Sequence, residues 1–211
     1  MGAAPGISLH PKEGYMSKLL ISLLAAGGIA FAGTSVAAGT AMSKDAYNAQ
    51  KKEIKTMYDS DVNACKSMTG NGKDVCTEEA KGKRDVALAD SEAAYKGTPS
   101  ARYDARVARV ESQYKVAKEK CDDLNGNAKD VCVKEAKANE VKGKADAKVD
   151  KVATTSSNDA AMKTQSARKD AAEDKRDADY KVAVEKCDSM AGDSKDQCVK
   201  AAKVHYGKSA T

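Results

Sequence analysis

The stretch Cys65–Cys76, CKSMTGNGKDVC, decides the fold because it returns twice along the chain with the same cysteine spacing. The other copies are CDDLNGNAKDVC at Cys121–Cys132 and CDSMAGDSKDQC at Cys187–Cys198. All share a methionine or leucine three residues after the first cysteine, a glycine five residues after it, and Lys-Asp at the eighth and ninth positions. The copies contain all six cysteines, so the chain is built from three related repeats.

Each copy also predicts a reversal of the chain. Its glycine stands where a helix commonly ends with a residue of positive φ, the C′ position, which glycine adopts at little cost. These turn glycines are Gly70, Gly126 and Gly192. The next residue is of a type that favours the N-cap of a following helix. The predicted N-caps are Asn71, Asn127 and Asp193. We therefore predict a helix–turn–helix corner in every copy.

The corner brings the two cysteines of a copy together. In one unbroken helix Cys65 and Cys76 would be roughly 16 Å apart, whereas a disulfide needs Cα atoms within about 7 Å. A reversal places a cysteine in the last turn of one helix opposite a cysteine in the second turn of the next. The predicted disulfides are Cys65–Cys76, Cys121–Cys132 and Cys187–Cys198.

Three other uses of the cysteines are less consistent with the sequence than this pairing. The chain is similar to twin C-x9-C hairpins, in which two bonds join two unbroken helices, but three copies leave one pair over and a glycine interrupts each copy. Zinc is disfavoured because C-x2-C is absent and His205 is the only histidine beyond residue 38. A thioredoxin-like redox motif is absent too. We predict no metal ligand, no cofactor and no catalytic residue, hence no enzyme.

The pattern between the corners predicts six helices. Apolar and small residues before the second corner alternate in steps of four and three, the mark of one helix face: Tyr103, Val107, Val110, Tyr114, Ala117, Cys121 and Leu124. Breaks at Gly97-Thr98-Pro99 and 154–158 separate the hairpins. The predicted helices span 43–69, 72–96, 99–125, 128–153, 159–191 and 194–206. The predicted class is all-α: three consecutive disulfide-stapled αα-hairpins, coiled-coil-like, and either elongated or loosely bundled.

The composition predicts a thin core. The chain has no Trp and one Phe, and 32% of its residues are charged. Such a composition also permits disorder, but the helical periodicity and the cysteines argue against it. The net charge of +5 arises from interleaved acids and bases, so we expect a solvated surface and no specific nucleic-acid binding. Clusters of lysines such as Lys115, Lys118 and Lys120 are candidates for a weak polyanion-binding patch.

The N-terminal segment has the pattern of a signal peptide. Met16 and Lys18 open a short basic region, an apolar run continues to Ala32, and small residues at 35–38 suit cleavage after residue 37 or 38. The apolar run is shorter than the ~20 residues that cross a bilayer. We predict a periplasmic product without a stable transmembrane helix after processing. The alternatives are secretion or, without cleavage, an inner-membrane anchor.

The predicted organisation follows from these boundaries. A leader occupies 1–38, with the translation start at Met16, and the hairpin repeats occupy 39–97, 98–155 and 156–211.

The second repeat resembles a known group of proteins. Residues Lys120–Lys137 are similar to K-C-D-x-L-x-G-N-A-K-D-V-C-V-K-E-A-K, a motif of Ala/Lys-rich exported proteins of β-proteobacteria. Some of those are described as TolA-like cell-envelope-biogenesis proteins. TolA has a long Ala/Lys/Asp/Glu helix that spans the periplasm, an inner-membrane anchor and a C-terminal globular domain. We expect neither the anchor nor the globular domain here, so the resemblance implies only helical, periplasmic character.

The export signal, the repeats and the lack of a catalytic motif together predict a non-catalytic envelope protein with a structural, scaffold or stress-related role. Its partners would be envelope proteins or anionic envelope polymers. The alternative function is weak binding of lipopolysaccharide or nucleic acid through Lys-rich helix faces.

Overall fold

Six helices make up the part of the chain that the structure describes. The computed structural model describes residues 42–155 and 159–208, so the predicted signal peptide lies outside the described residues. The helices are α1 Lys44–Cys65, α2 Gly70–Lys96, α3 Pro99–Cys121, α4 Gly126–Ala153, α5 Ala160–Cys187 and α6 Gly192–His205. These residues contain no strand, and the predicted all-α class with six helices is confirmed.

Each helix packs only against its neighbours in sequence. The contacting pairs are α1 with α2, α2 with α3, α3 with α4, α4 with α5, and α5 with α6. Short corners reverse the chain between successive helices, so the helices form a single antiparallel row within the unit Gly39–Thr211. The sequence left a bundle and an extended arrangement open. The contacts show the extended one, and the alternation of direction places all three disulfide corners along one edge of the row.

Small side chains fill the contacts between helices. The buried alanines are Ala80, Ala101, Ala105, Ala136, Ala138, Ala145, Ala147, Ala167, Ala171, Ala178 and Ala202. Among the described residues, Ile54 is the single buried aliphatic side chain larger than alanine, and the first cysteine of each copy is buried as well. Because the interior side chains are short, the helices approach closely but bury little apolar area per residue. The predicted thin core is observed.

Two glycines mark points of close approach between helices. A Cβ at Gly82 in α2 would collide with the Oγ atom of Ser112 in α3. A Cβ at Gly143 in α4 would lie 2.6 Å from Cγ2 of Val110 in α3. Neither glycine has a positive φ, so here glycine is required by packing and not by backbone conformation.

Ion pairs flank the contacts between repeats, and two of these pairs recur at the same repeat positions. A lysine one residue before the first cysteine of a copy binds a glutamate three residues after the last cysteine of the preceding copy. These pairs are Lys120–Glu79 at 2.9 Å and Lys186–Glu135 at 2.6 Å. A second recurring position holds Arg109–Asp90 and Lys175–Asp146. The α4–α5 contact adds Lys134–Glu185, Lys142–Asp179 and Lys148–Asp170. Exposed pairs of this kind stabilise by 0–1 kcal/mol each, and their repetition fixes the register.

The predicted ends of the corner helices require correction. The helices before the corners were expected to reach residues 69, 125 and 191, but they end at the first cysteine of each copy. The chain tightens there through i→i+3 bonds, with the Met68 amide donating to the Cys65 carbonyl at 3.1 Å. A disulfide to the next helix needs this early reversal because its two Cα atoms must lie close together.

The turn glycines also have a different role from the predicted one. Gly70, Gly126 and Gly192 have positive φ, at 58°, 56° and 56°, as expected. They are not C′ residues of the first helix, however, because each begins the second helix. The predicted N-caps, Asn71, Asn127 and Asp193, consequently lie inside that helix, and the observed N-caps are Thr69, Asn125 and Ala191. The positive φ of each glycine lets the backbone change from the extended N-cap residue to the helix within one residue.

Candidate functional site

Three equivalent disulfide corners are the most specific feature of the described chain. The bonds join Cys65 to Cys76, Cys121 to Cys132 and Cys187 to Cys198, with Cα–Cα distances of 5.6, 5.7 and 5.7 Å. These are the predicted pairs, and they leave no cysteine of the chain free. The twin-hairpin pairing is therefore excluded. The observed distances lie within the usual range for a disulfide.

One sulfur of each disulfide is shielded by its hairpin. The first cysteine of each copy is at most 2% exposed, whereas the second is partly exposed. Thiol–disulfide exchange requires a thiolate to reach a sulfur atom, so attack is restricted to the outer cysteine. This arrangement fits a bond that holds a corner closed.

A large apolar side chain projects from every corner. Met68, Leu124 and Met190 stand three residues after the first cysteine and are 47%, 40% and 46% exposed. We name these three residues the corner row. The spacing of apolar residues predicted that this residue continues the helix face that carries the first cysteine. That prediction is wrong, because each helix ends at the cysteine and the methionine or leucine lies exposed in the turn that follows.

The first corner differs electrostatically from the other two. In the second and third corners, a lysine eight residues after the first cysteine binds an aspartate that directly follows that cysteine. These pairs are Lys129–Asp122 and Lys195–Asp188, both at 3.0 Å. In the first corner the same positions hold Lys66 and Lys73, so the charge is positive at both. The three corners are thus equivalent in backbone but not in charge.

The repeated tyrosines pack inside the hairpins. Tyr58 lies under the guanidinium of Arg84 at 4.4 Å, and Tyr114 lies 5.1 Å from the ammonium of Lys137. Tyr180 meets Tyr206 edge-on at 6.2 Å. Each ring packs against a side chain from the other half of its own hairpin, so the tyrosines stabilise packing within the hairpins.

A buried carboxylate joins α4 to α3. Glu140 is 5% exposed and accepts from Lys137 at 2.7 Å and from Lys144 at 2.8 Å. Lys144 also binds Glu111 of α3 at 2.6 Å. Burial acts to raise the pKa of Glu140, but the hydrogen bonds from the two lysines outweigh burial and lower it. The hydrogen bonds to Glu111 and then Glu140 raise the pKa of Lys144. The network is a satisfied structural cluster.

The predicted polyanion lysines do not converge. Lys120 binds Glu79 and lines a groove between α2 and α3. Lys115 lines another groove between the same helices, together with Glu78 and Glu111. Lys118 is exposed. Two of the three lysines therefore lie beside carboxylates, in different grooves.

Two grooves occupy equivalent places between successive repeats. The first, about 630 Å³, has Val86, Ala87, Val116 and Ala117 among its lining residues. The second, about 400 Å³ between α4 and α5, has Lys142 at the position of Val86. Lys142 binds Asp179, and Tyr206 lines the same groove. The first groove is therefore apolar, whereas the second is polar.

No family model, curated protein or solved structure matches this chain. The geometry above is therefore the basis for any functional statement. Within 42–155 and 159–208, no group of three His, Cys, Asp or Glu residues could hold a metal ion. His205 is exposed beside Tyr206, with ring centroids 4.7 Å apart. In the same ranges, no helix is both long enough and apolar enough to cross a membrane.

Proposed function

We propose that this chain is a non-catalytic, periplasmic protein of the cell envelope that acts as a helical spacer or scaffold. The observation that carries the proposal is the antiparallel row itself, whose three corners are closed by disulfides along one edge. Three structural disulfides indicate an oxidising, extracytoplasmic compartment. A row of helices with a thin core and solvated charges presents a long surface for its size, which suits a scaffold.

The corner row supplies the contact surface for this role. Its three apolar side chains recur at one edge, and each is separated from the next by two helices, or roughly 16–20 Å. A partner that spans this edge can contact all three side chains at once, so that their individually weak contacts add. We propose that envelope proteins bind this edge.

Crosslinking in living cells tests the scaffold role. A photo-crosslinking residue in place of Leu124 should yield adducts with envelope proteins, identified by mass spectrometry. The matched control places it at Met162, which is 69% exposed on α5 and away from the corners. Adducts at Leu124 but not at Met162 support the proposal. Equal adducts at both positions, or none at either, contradict it.

A second candidate function is weak polyanion binding, which the first corner favours. Lys66 and Lys73 stand where the other corners have an Asp–Lys pair, so this corner attracts anions more strongly than the other two. The Lys66→Asp variant recreates the pair of the other corners. It should elute from heparin earlier than the wild type at physiological ionic strength.

The control for this variant makes the same charge change within α1, the helix that Lys66 directly follows. Lys52→Asp lies on α1, away from the corner. If both variants lose heparin retention equally, the effect reflects net charge. If the wild type is not retained at all, polyanion binding is wrong.

A further inference from the structure

The first and last helices of the row each have one packing face that no other described helix covers. In the row, α2 and α4 each contact the first helix of the next repeat, and α3 and α5 each contact the last helix of the preceding repeat. By repeat position α6 corresponds to α2 and α4, and α1 corresponds to α3 and α5. The outer face of α6 and the outer face of α1 are therefore the two halves of one more inter-repeat contact.

These faces are defined here as stripes. The α6 stripe comprises Ser194, Gln197, Ala201 and Val204, and the α1 stripe comprises Ala49, Glu53, Thr56, Met57, Ser60 and Ala64. All ten residues are exposed, and Glu53 is the one charged residue among them. Lys200 and Lys208 lie beside the α6 stripe, at the repeat positions of Lys134 and Lys142 in the α4–α5 contact.

The stripes lack an ion pair that both internal contacts between repeats contain. Inside the row, this pair is Lys120–Glu79 in one contact and Lys186–Glu135 in the next. At the matching positions α1 has Ala64 and α6 has Ala201. Lysine and glutamate suit a helix surface that remains in water. The paired change to alanine instead suits a contact that buries both positions without charge.

The largest side chains of the two stripes point to the same conclusion. Val204 is 81% exposed in α6, and Met57 is 50% exposed in α1. They stand at the repeat positions of Gly82 and Gln113, two residues that line the first groove between α2 and α3. Association would remove both apolar side chains from water, which is favourable.

We propose that the α6 stripe of one copy docks on the α1 stripe of a second copy, which extends the antiparallel row head to tail. The continuity with the internal contacts identifies the occupant as a second copy. Such a heterologous contact leaves open stripes at both ends and can therefore continue to a third copy.

We expect a low affinity for this contact, because the helix α6 is short and Val204 is large. The contact is limited by α6, whose 14 residues span about 21 Å, and two helices of that length bury less than the ~800 Å² per partner of a stable complex. Val204 is also larger than Gly82 and Ala138 at the same repeat position, so the docked helices lie farther apart than those within the row. Association is therefore concentration-dependent. The inference does not rest on the proposed envelope role.

A pair of double variants tests the contact by sedimentation velocity over a range of concentrations. All proteins are purified from cells that produce the full chain, so that any processing is the same. Ala64→Lys with Ala201→Glu installs the ion pair of the internal contacts. Ala64→Lys with Ala201→Lys places like charges at the same point. Both positions are exposed helical sites, and circular dichroism tests whether the variants fold.

The wild type should show a weight-average mass that rises with concentration. The Lys/Lys variant should weaken association roughly tenfold or more. The Lys/Glu variant should associate at least as strongly as the wild type and should lose association as salt is raised. A wild type that remains monomeric at every concentration overturns the proposal. So does equal weakening by both variants, which would indicate contact between two α1 or two α6 helices, and so does no effect of either variant.

Discussion

Glu140 shows how a single buried charge is tolerated in a thin core. Its side chain is 6% exposed, and lysines three residues before and four residues after it in α4 bind its two oxygens. Removing a partner from a buried ion pair costs more than the pair contributes, because the remaining charge is left without compensation. Lysines three and four residues away usually form exposed ion pairs on a helix surface. At Glu140, the same spacing provides hydrogen bonds to a carboxylate that is buried at the α3–α4 contact.

The substitution Glu140→Gln should lower the free energy of unfolding by about 1–2 kcal/mol at neutral pH. The pKa of Glu140 is lowered in the folded chain, so its stabilising contribution is present above the ordinary carboxylate value, about 4.3. The contribution disappears as pH falls through the lower folded value. Urea unfolding at neutral pH and in acid should therefore show a difference in unfolding free energy that is smaller in acid. The exposed-pair control, Glu135→Gln, should change stability by less than 1 kcal/mol at either pH.

Substitution of glycine by alanine should have opposite effects on stability at Gly143 and at Gly72. In Gly143→Ala, the new methyl would lie 2.6 and 2.9 Å from the two γ carbons of Val110, whose branched side chain cannot move aside cheaply. The overpacking cost of about 1–3 kcal/mol exceeds the gain in helix propensity of about 1 kcal/mol. Gly72→Ala meets no atom within 4 Å and should stabilise by about 0.5–1 kcal/mol.

Thermal unfolding distinguishes these cases. If Gly143→Ala raises the melting temperature, the close approach of α3 and α4 is wrong. Adding Val110→Ala to Gly143→Ala should recover part of the loss, because the smaller side chain removes the collision.

At the scale of the elements, α6 depends on its disulfide more than any other described helix. It has 14 residues, against 22 to 28 in α1 to α5, and it contacts α5 alone. An isolated helix of this length is marginal in water. The helix α6 ends before it reaches the N-terminal half of α5, where three residues on the hairpin side of α5 are exposed and charged: Lys169, Glu173 and Arg176. Polar residues therefore stand where α6 is too short to cover α5.

Replacing both Cys187 and Cys198 by alanine should release α6 selectively. Closing so short a loop stabilises by about 3 kcal/mol in the chain-entropy account, and α6 has little other contact to compensate. Hydrogen exchange should show rapid amide exchange in α6 with α1 to α4 unchanged. The matched control replaces Cys121 and Cys132, whose helices each retain a second neighbour, so neither should exchange selectively. Full protection of α6 without its disulfide would contradict this prediction.

For the whole molecule, the sequential contacts make stability nearly one-dimensional. Because α1 does not contact α4, α5 or α6, disruption of one inter-repeat contact leaves distant repeats intact. This differs from a bundle, in which all helices share one core and are lost together.

Two matched substitutions test this independence. Ala138→Leu inserts a large side chain into the α4–α5 contact, and Gly82→Leu does the same at the equivalent position between α2 and α3. Ala138→Leu should reduce the hydrogen-exchange protection of α5 and α6 and leave α1 and α2 protected. Gly82→Leu should give the mirror-image result. Uniform loss of protection in both variants would show that the row unfolds as one cooperative unit.

The sequence by itself determined the helical class, the disulfide pairing and the positive φ of the turn glycines. These features are local, because cysteines eleven positions apart can bond only if the chain reverses between them. The sequence did not predict a ligand-binding site for the scaffold role. The lysines that it offered for polyanion binding do not form a cluster among the described residues. The cleaved leader, the periplasmic location and the TolA-like relationship stay predictions.

The tertiary structure alone decided where the helices end, that they form a row, and which residues lie on its edges. The helix ends follow from the close approach of the bonded cysteines, which forces the turn to begin at Cys65 and not at Gly70. The row follows from contacts between residues far apart in sequence, such as Lys120 with Glu79, 41 positions away. Helical periodicity reveals which face of a helix is buried, but the partner depends on the complementarity of two faces. For that reason the corner row and the terminal stripes became visible only once every helix had been placed against its neighbour.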